Sequence, residues 1–223
     1  MPTEPTGRRP LKSRDLPFFK NLATRFARGG ATPNGISFAS IVCGCCAGAA
    51  LAATAHFDGW AERACWLAAA VFIQIRLIAN LLDGMVAVEG GKGGPTGDLW
   101  NEAPDRVSDA AIFIGAGCAA GSAPVLGFAA ALVAVFVAYV RALGASVGAG
   151  QCFLGPQAKP QRMAVMTGVC VLSAAVPLYP TLIGEQPLPA LAIALWVVIV
   201  GGLITAWRRL SFIAGFLRKK SHP

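Results

Sequence analysis

Long apolar runs separated by short polar segments dominate this sequence, and they indicate helices that cross a membrane. Six runs approach the roughly 20 residues that a helix needs to span the hydrocarbon core of a bilayer. Only 13% of the residues are charged and 26 are glycines, as is typical of membrane helices that pack through small side chains. We therefore predict an all-α polytopic membrane protein with six transmembrane helices, at about residues 35–55, 63–86, 98–121, 125–147, 163–181 and 188–207.

A short amphipathic helix is predicted before the first span. Its apolar side chains fall on one helical face while Lys20 and Arg25 lie off that face, as in helices that lie in the membrane interface. The apolar face comprises Phe18, Phe19, Leu22 and Phe26. The chain then divides into a disordered basic tail (1–14), the amphipathic juxtamembrane helix (15–30), a six-helix membrane domain (31–207) and a second basic tail (208–223).

Basic residues are concentrated at the two ends of the chain. Seven of the 19 lysines and arginines precede the first span and five follow the last, whereas the loops predicted on the opposite side carry only Arg63. Because basic segments stay in the cytoplasm, we expect both termini to be cytoplasmic, in a bacterial-type inner membrane. Anionic headgroups of the bilayer explain the net charge of +8, and no aromatic platform accompanies it, so nucleic-acid binding is not expected. The Gly-rich and Ala-rich spans are compatible with a homodimer, and no internal repeat supports a transporter.

Carboxylates and carboxamides cluster in residues 80–109, around the loop between the second and third predicted spans. Six of the 11 acidic residues lie there, at Asp83, Glu89, Asp98, Glu102, Asp105 and Asp109. Acidic side chains at the edge of a bilayer are costly and usually mark a functional site. In the predicted orientation, this cluster faces the cytoplasm.

Helical spacing places these polar residues on two stripes that can face each other. Asn80 and Asp83 lie three residues apart and share one face of the second span. The stripe on the third span consists of Asp98, Asn101, Asp105 and Asp109, and Glu102 points roughly 100° away from it. Oxygen ligands that converge from two helices suit a hard cation such as Mg²⁺ or Mn²⁺. The alternative, a set of helix caps, accounts for Asp98 at a helix start but not for Asp83 or Asp109.

The spacing of these residues resembles the motif of the CDP-alcohol phosphotransferase family, D-x2-D-G-x2-A-R-x8-G-x3-D-x3-D. The chain reads Asn80-x2-Asp83-Gly84-x2-Ala87-Val88-x8-Gly97-x3-Asn101-x3-Asp105. The spacing matches throughout, and five of the eight defined positions match by residue type. Further segments that resemble family landmarks are Thr32-Pro33-Asn34, Tyr139-Val140-Arg141 and Lys159-Pro160-Gln161-Arg162, so that the resemblance covers roughly residues 15–207.

The resemblance implies an enzyme of phospholipid biosynthesis that transfers a phosphatidyl group from CDP-diacylglycerol to a polar alcohol and releases CMP. Family members hold two divalent ions, Mg²⁺ or Mn²⁺, with the motif aspartates, and the last of these aspartates deprotonates the alcohol. By position, Asp105 is the implied catalytic base. The implied metal-ligand positions are Asn80, Asp83, Asn101 and Asp105. The implied CDP-binding residues are Asn34, Asn80, Asp83, Gly84, Ala87 and Gly97.

A pocket for the acceptor alcohol is implied at Arg141, Lys159 and Arg162. Basic side chains would suit a phosphorylated acceptor because charge-assisted hydrogen bonds to phosphate are strong. For Arg141 and Arg162, contact with lipid headgroups at the end of a long side chain is an equally good explanation.

The chain departs from the family motif at Asn80, Asn101 and Val88, where the family has Asp, Asp and Arg. A carboxamide keeps an oxygen for coordination but loses the negative charge that favours Mg²⁺ binding. Three outcomes follow. Asp98 or Asp109 supplies the missing charge, or the enzyme works with one ion, or catalysis is lost and the chain binds CDP-lipid or nucleotide to regulate or scaffold lipid synthesis.

Overall fold

The computed structural model describes residues 16–89, 96–176 and 190–221, and the regular structure within them is entirely helical. Seven α-helices are described in chain order: α1 (Pro17–Arg28), α2 (Pro33–Ala53), α3 (Gly59–Glu89), α4 (Gly97–Gly117), α5 (Pro124–Ser146), α6 (Lys159–Ala175) and α7 (Ala190–Ser221). A 3₁₀ turn, Thr54–His56, extends the end of α2. The predicted tail 1–14, the loop 90–95 and the end of the fifth predicted span lie outside the described residues, as do the side chains of Val88, Glu89, Asp98 and Asn101.

Proline residues mark where several of these helices begin. A proline occupies the first or second position of α1, α2, α5 and α6. Its ring fixes φ near the helical value, and its missing N–H is one of the donors that have no partner in a first turn. Thr32 caps α2 by accepting a hydrogen bond from the Gly35 amide at 3.1 Å. The first predicted span therefore begins at a well-defined helix start.

Within the described residues, four helical segments are long and apolar enough to cross a membrane, which confirms the prediction of a helical membrane protein. They are Pro33–His56, Gly59–Ala87, Pro124–Ser146 and Ala190–Lys220. α4 and α6 fall outside this group because α4 carries several charged side chains and α6 has 17 residues. The count of six spans therefore stays a prediction. α7 also continues as a helix through the basic residues from 208 onwards that we expected to form a tail.

The largest apolar cluster joins α2, α3, α4, α5, α6 and α7 in the middle of the helix bundle. It includes fully buried side chains from most of these helices, such as Leu51, Ile73, Phe113, Met166 and Leu195. The polar residues of interest lie towards one end of the same helices, near the end of α3 and the beginning of α4. Packing of this apolar core therefore fixes the relative positions of the helices that carry the polar residues.

Glycines let α2 and α4 approach until their backbones touch. A Cβ atom on Gly48 of α2 would overlap the carbonyl oxygen of Ala111 on α4, and a Cβ on Gly44 would lie 2.6 Å from the Cβ of Ser108. Membrane helices commonly pack through such small residues, because lipid offers no hydrophobic driving force for helix association. This contact fixes the depth and rotation of α4, and with them the acidic residues in its first half.

Replacing Gly48 with alanine is expected to lower stability by about 1–3 kcal/mol, because the added methyl group meets backbone that cannot move aside cheaply. Thermal unfolding in detergent would measure the change. Gly168→Ala is the matched control, since a Cβ at Gly168 of α6 would meet nothing within 4 Å. Equal melting temperatures for the two variants would contradict the close helix contact.

The helix α1 packs across the end of α3. Phe19, Leu22 and the fully buried Ala23 contact an apolar cluster that includes Leu82 and Val86 of α3. The predicted apolar face is therefore divided, because Phe18, at 67% exposure, points away from the protein. An exposed phenylalanine beside a packed one suits a helix that contacts protein on one side and lipid on the other.

Candidate active site

Polar and charged side chains from four helices meet at one end of the bundle. The contributing segments are the second half of α3, the first half of α4, the end of α5 and the beginning of α6. The chain reverses direction between consecutive long helices, so these ends lie on the same side. The sequence predicted the α3 and α4 contributions, and the structure adds a set of basic partners from α3 and α6.

Arg76 of α3 is the central cation of this cluster and is completely buried, with 0% exposure. Its Nη2 donates to Asp105 Oδ1 at 3.1 Å and to Asp109 Oδ1 at 2.6 Å, so that one guanidinium joins both carboxylates of α4. We assigned Arg76 no role from the sequence. The available signal was a lone arginine in an apolar helix, one turn before Asn80 and on the same face.

Lys159, the first residue of α6, brings a second cation to the same carboxylates. Its Nζ donates to both oxygens of Asp105, each at 2.5 Å, and also to the side-chain oxygen of Asn80. The lysine therefore connects α6 to α3 and α4 at the two motif positions. We predicted Lys159 in the acceptor pocket, and the structure places it among the implied metal-ligand positions.

Arg162 forms a buried ion pair with Asp109, one turn deeper along α6. The two side chains are 3% and 1% exposed, and the second oxygen of Asp109 contacts Arg76. Burial of this kind removes headgroup contact as an explanation for Arg162. Since both oxygens of Asp109 already contact arginines, this carboxylate is not placed to supply charge for a metal ion.

Asp83 differs from the other buried carboxylates because it forms no salt bridge in the part of the chain that the structure describes. It is 4% exposed and accepts hydrogen bonds from the Ser37 hydroxyl at 2.8 Å and from the Gly84 amide at 2.5 Å. A buried carboxylate that lacks a counter-charge is costly. This environment suits a bound cation. Ser37 was not singled out from the sequence, although it lies one turn after Asn34.

Glu102 and Arg141 form a separate ion pair between α4 and α5. Glu102 also accepts from Arg106 at 2.8 Å, and the Arg141 guanidinium lies 5.9 Å from the ring centroid of Phe153. Glu102 points away from the stripe of Asp105, as its helical position predicts. Arg141 is therefore held at the edge of the cluster, and Lys159 and Arg162 lie inside it.

The remaining predicted residues surround this cluster along the chain. Gly84 and Ala87 are partly buried on α3, Asn34 is exposed in the first turn of α2, and Gly97 begins α4 with open space around it. Asp98 and Asn101 lie in the first turns of α4, and their side chains are outside the described part of the structure.

Among the described side chains at this end of the bundle, one buried carboxylate is without a salt bridge and could contact a divalent cation. Among the described residues, no three His, Cys, Asp or Glu side chains form a group that could hold a metal ion. Asp83 is buried and forms no salt bridge among the described residues, whereas Asp105 contacts three basic side chains and Asp109 contacts two. A single Mg²⁺ or Mn²⁺ would thus be held chiefly by Asp83.

The chain is similar to solved structures of one enzyme, although no family model and no curated protein matches it. It aligns with crystal structures of Mycobacterium tuberculosis phosphatidylinositol phosphate synthase (PgsA1). The form with CDP-DAG bound matches at 21% identity and a TM-score of 0.70, over 89% of this chain and 94% of that chain. The complex with manganese and citrate matches at 21% identity and a TM-score of 0.68, over 87% and 88% of the two chains.

A match that spans nearly the whole of both chains compares the complete helix bundle and not one helical hairpin. At 21% identity it is informative about the fold. The chain therefore has the fold of phosphatidylinositol phosphate synthase, which confirms the fold implied by its resemblance to the CDP-alcohol phosphotransferase family.

Proposed function

We propose that this chain is a membrane enzyme that transfers a phosphatidyl group from CDP-diacylglycerol to a polar alcohol and releases CMP. The observation that carries the proposal is the fold match to a structure with CDP-DAG bound, over 89% of this chain. Two residues at motif positions, Asp83 and Asp105, lie in one buried polar cluster with open space at Gly97 nearby in the chain. A CDP-lipid has its diphosphate at the membrane surface, which is where such a cluster at the end of a helix bundle would meet it.

The proposed reaction is a displacement at the phosphorus atom of the phosphatidyl group. The acceptor oxygen forms a bond to this phosphorus, and the phosphoanhydride bond to CMP breaks, so that CMP leaves with the bridging oxygen. Asp105 takes the proton of the acceptor hydroxyl, and Arg76 and Lys159 orient its carboxylate. A divalent ion at Asp83, when bound, would neutralise negative charge on the diphosphate.

The acceptor is proposed to be a phosphorylated alcohol. Arg162 Nε and two further nitrogens of Arg76 are buried and have no hydrogen-bond partner among the described residues. Unused guanidinium donors in a cluster near Asp105 suit the oxygens of a phosphate group. The name of the similar enzyme makes inositol phosphate the first acceptor to test.

The proposed arrangement in the membrane has six spans and places the site at the cytoplasmic face of a bacterial-type inner membrane. α4 and α6 would complete the six, because their charged residues are paired with one another inside the bundle instead of facing lipid. The basic end of α7, with Arg218, Lys219 and Lys220, supports a cytoplasmic C-terminus. Homodimers remain compatible with the apolar surface.

Release of CMP from CDP-diacylglycerol tests the proposal. Purified protein in nanodiscs would be incubated with CDP-diacylglycerol, Mn²⁺ or Mg²⁺, and a panel of free and phosphorylated polyols. We expect acceptor-dependent CMP release, strongest with a phosphorylated acceptor. Binding of CDP-diacylglycerol by calorimetry, with no CMP release under any of these conditions, would instead identify a protein that binds CDP-lipid and regulates or scaffolds lipid synthesis.

A further inference from the structure

We propose that the ammonium group of Lys159 occupies the position of a second metal ion, so that the site holds one divalent cation and one built-in cation. The inference rests on the proposed function, since it concerns the same transferase site. It is based on the position of Lys159, whose ammonium group lies between two implied metal-ligand residues, Asn80 and Asp105.

The contacts of Lys159 have the geometry of a small oxygen-coordinated cation. Three oxygens, one from Asn80 on α3 and two from Asp105 on α4, converge on Nζ. A lysine ammonium has three N–H donors and no acceptor, so these three oxygens use its full donor capacity. The ammonium group thus already uses, as hydrogen-bond acceptors, the oxygen atoms that a divalent ion between α3 and α4 would need as ligands.

The charges of the cluster support the same assignment. Its buried carboxylates are Asp83, Asp105 and Asp109, and its basic side chains are Arg76, Lys159 and Arg162. Asp105 and Asp109 each contact two of these basic side chains. A second divalent ion beside Lys159 would be repelled by these cations, and Asp83 is the only carboxylate of the cluster without a salt bridge among the described side chains. Asp83, in contrast, has no salt bridge among the described residues and retains its capacity for one ion.

The replacement of aspartate by asparagine at position 80 fits this arrangement. A carboxamide oxygen can accept a hydrogen bond from an ammonium group, but it binds a divalent ion more weakly than a carboxylate does because it carries no charge. The neutral oxygen of Asn80 is therefore sufficient here, because the ammonium group of Lys159 is covalently attached to α6 and does not have to be held by a charged ligand.

Binding of Mn²⁺ without substrate tests the inference. Purified protein in nanodiscs would be titrated with Mn²⁺, and free Mn²⁺ would be measured by electron paramagnetic resonance. We expect about one ion per chain for the wild type and none for Asp83→Asn, because Asp83 carries the principal charge for the single site. Two ions per chain, or none, in the wild-type protein would overturn the inference.

Removal of the built-in cation should open the second site. Lys159→Met combined with Asn80→Asp is expected to bind about two Mn²⁺ ions per chain, and Lys159→Met alone should raise the affinity for Mn²⁺ roughly tenfold through lost repulsion. Lys20→Met, at an exposed position of α1, is the matched control and should behave like the wild type. Unchanged Mn²⁺ affinity in Lys159→Met, measured on protein with a wild-type size-exclusion profile, would also overturn the inference.

The ion count and the proposed transferase activity can fail separately. One Mn²⁺ per wild-type chain without CMP release would support the built-in cation and refute the enzyme. Acceptor-dependent CMP release with two Mn²⁺ ions per chain would support the enzyme and refute the built-in cation.

Discussion

Replacing Arg76 with methionine is expected to lower the free energy of unfolding by about 3–5 kcal/mol. Arg76 is 0% exposed and is the only described residue that contacts both Asp105 and Asp109. Methionine fills a similar volume, so the cost comes from two buried carboxylates that each lose one of their counter-charges and not from a cavity. Thermal unfolding in detergent would report the loss as a lower melting temperature.

Arg106→Met is the matched control for Arg76→Met. Arg106 pairs with Glu102 one turn away on α4 at 2.8 Å, is 4.0 Å from Asp105 and has a side chain that is 23% exposed. A partly exposed pair of this kind contributes about 0–1 kcal/mol. A second variant combines Arg76→Met with Asp109→Asn. It also removes the negative charge of Asp109, and we expect it to recover part of the lost free energy of unfolding. Similar melting temperatures for Arg76→Met and Arg106→Met would show that the buried cluster does not depend on Arg76.

The helix bundle could be predicted from sequence because its signals are local. Apolar runs of sufficient length, glycine-rich turns and prolines at helix starts each act within a few residues, and they locate α2, α3, α5 and the beginning of α7 within a few positions. The end of α7 was missed, because its helix continues through the basic residues after 207. The motif spacing placed Asp83 and Asp105 on the correct helices with the correct intervals. The helix positions and the motif spacing both depend on the pattern of residues within one segment, and this pattern can be seen in the sequence.

The partners of the acidic residues could not be predicted, because they depend on which helices become neighbours. Lys159 is 79 residues from Asn80 along the chain, and Arg162 is 53 residues from Asp109. Their alignment needs the packing of α6 against α3, which no local pattern specifies. Arg76 was visible as a charge in an apolar run, yet its role depends on the rotation of α4 that the glycine contact with α2 sets.

The difference between six predicted spans and four apolar ones has the same physical origin. Hydropathy treats each charge in α4 as exposed to lipid, whereas Asp109 pairs with Arg76 and Arg162 inside the bundle. The described part of α6 is excluded by its length of 17 residues. A charged side chain that is paired within the protein costs far less than one that faces hydrocarbon. Apolar length alone therefore misses α4, although its buried charges are paired within the bundle.

Replacing Asp105 with asparagine is expected to reduce acceptor-dependent CMP release by about 10²–10⁴-fold, the range typical for loss of a general base. Asparagine has the same shape and keeps one oxygen for Arg76 or Lys159, but it cannot accept the proton of the acceptor hydroxyl. The loss should appear in kcat more than in KM, because the acceptor and CDP-diacylglycerol still bind. Measurement of CMP release at saturating donor would separate these two parameters.

Two comparisons make the Asp105→Asn result specific to proton transfer. Asp58→Asn, at an exposed position just before α3 and at the other end of that helix, should leave CMP release unchanged. Asp105→Glu restores a carboxylate and should recover part of kcat if a proton acceptor is what the site lacks, whereas a purely structural role would leave it as inactive as the asparagine variant. Wild-type kcat in Asp105→Asn would assign proton removal to another group, and Asp105 would then serve only to hold Lys159 and Arg76 in place.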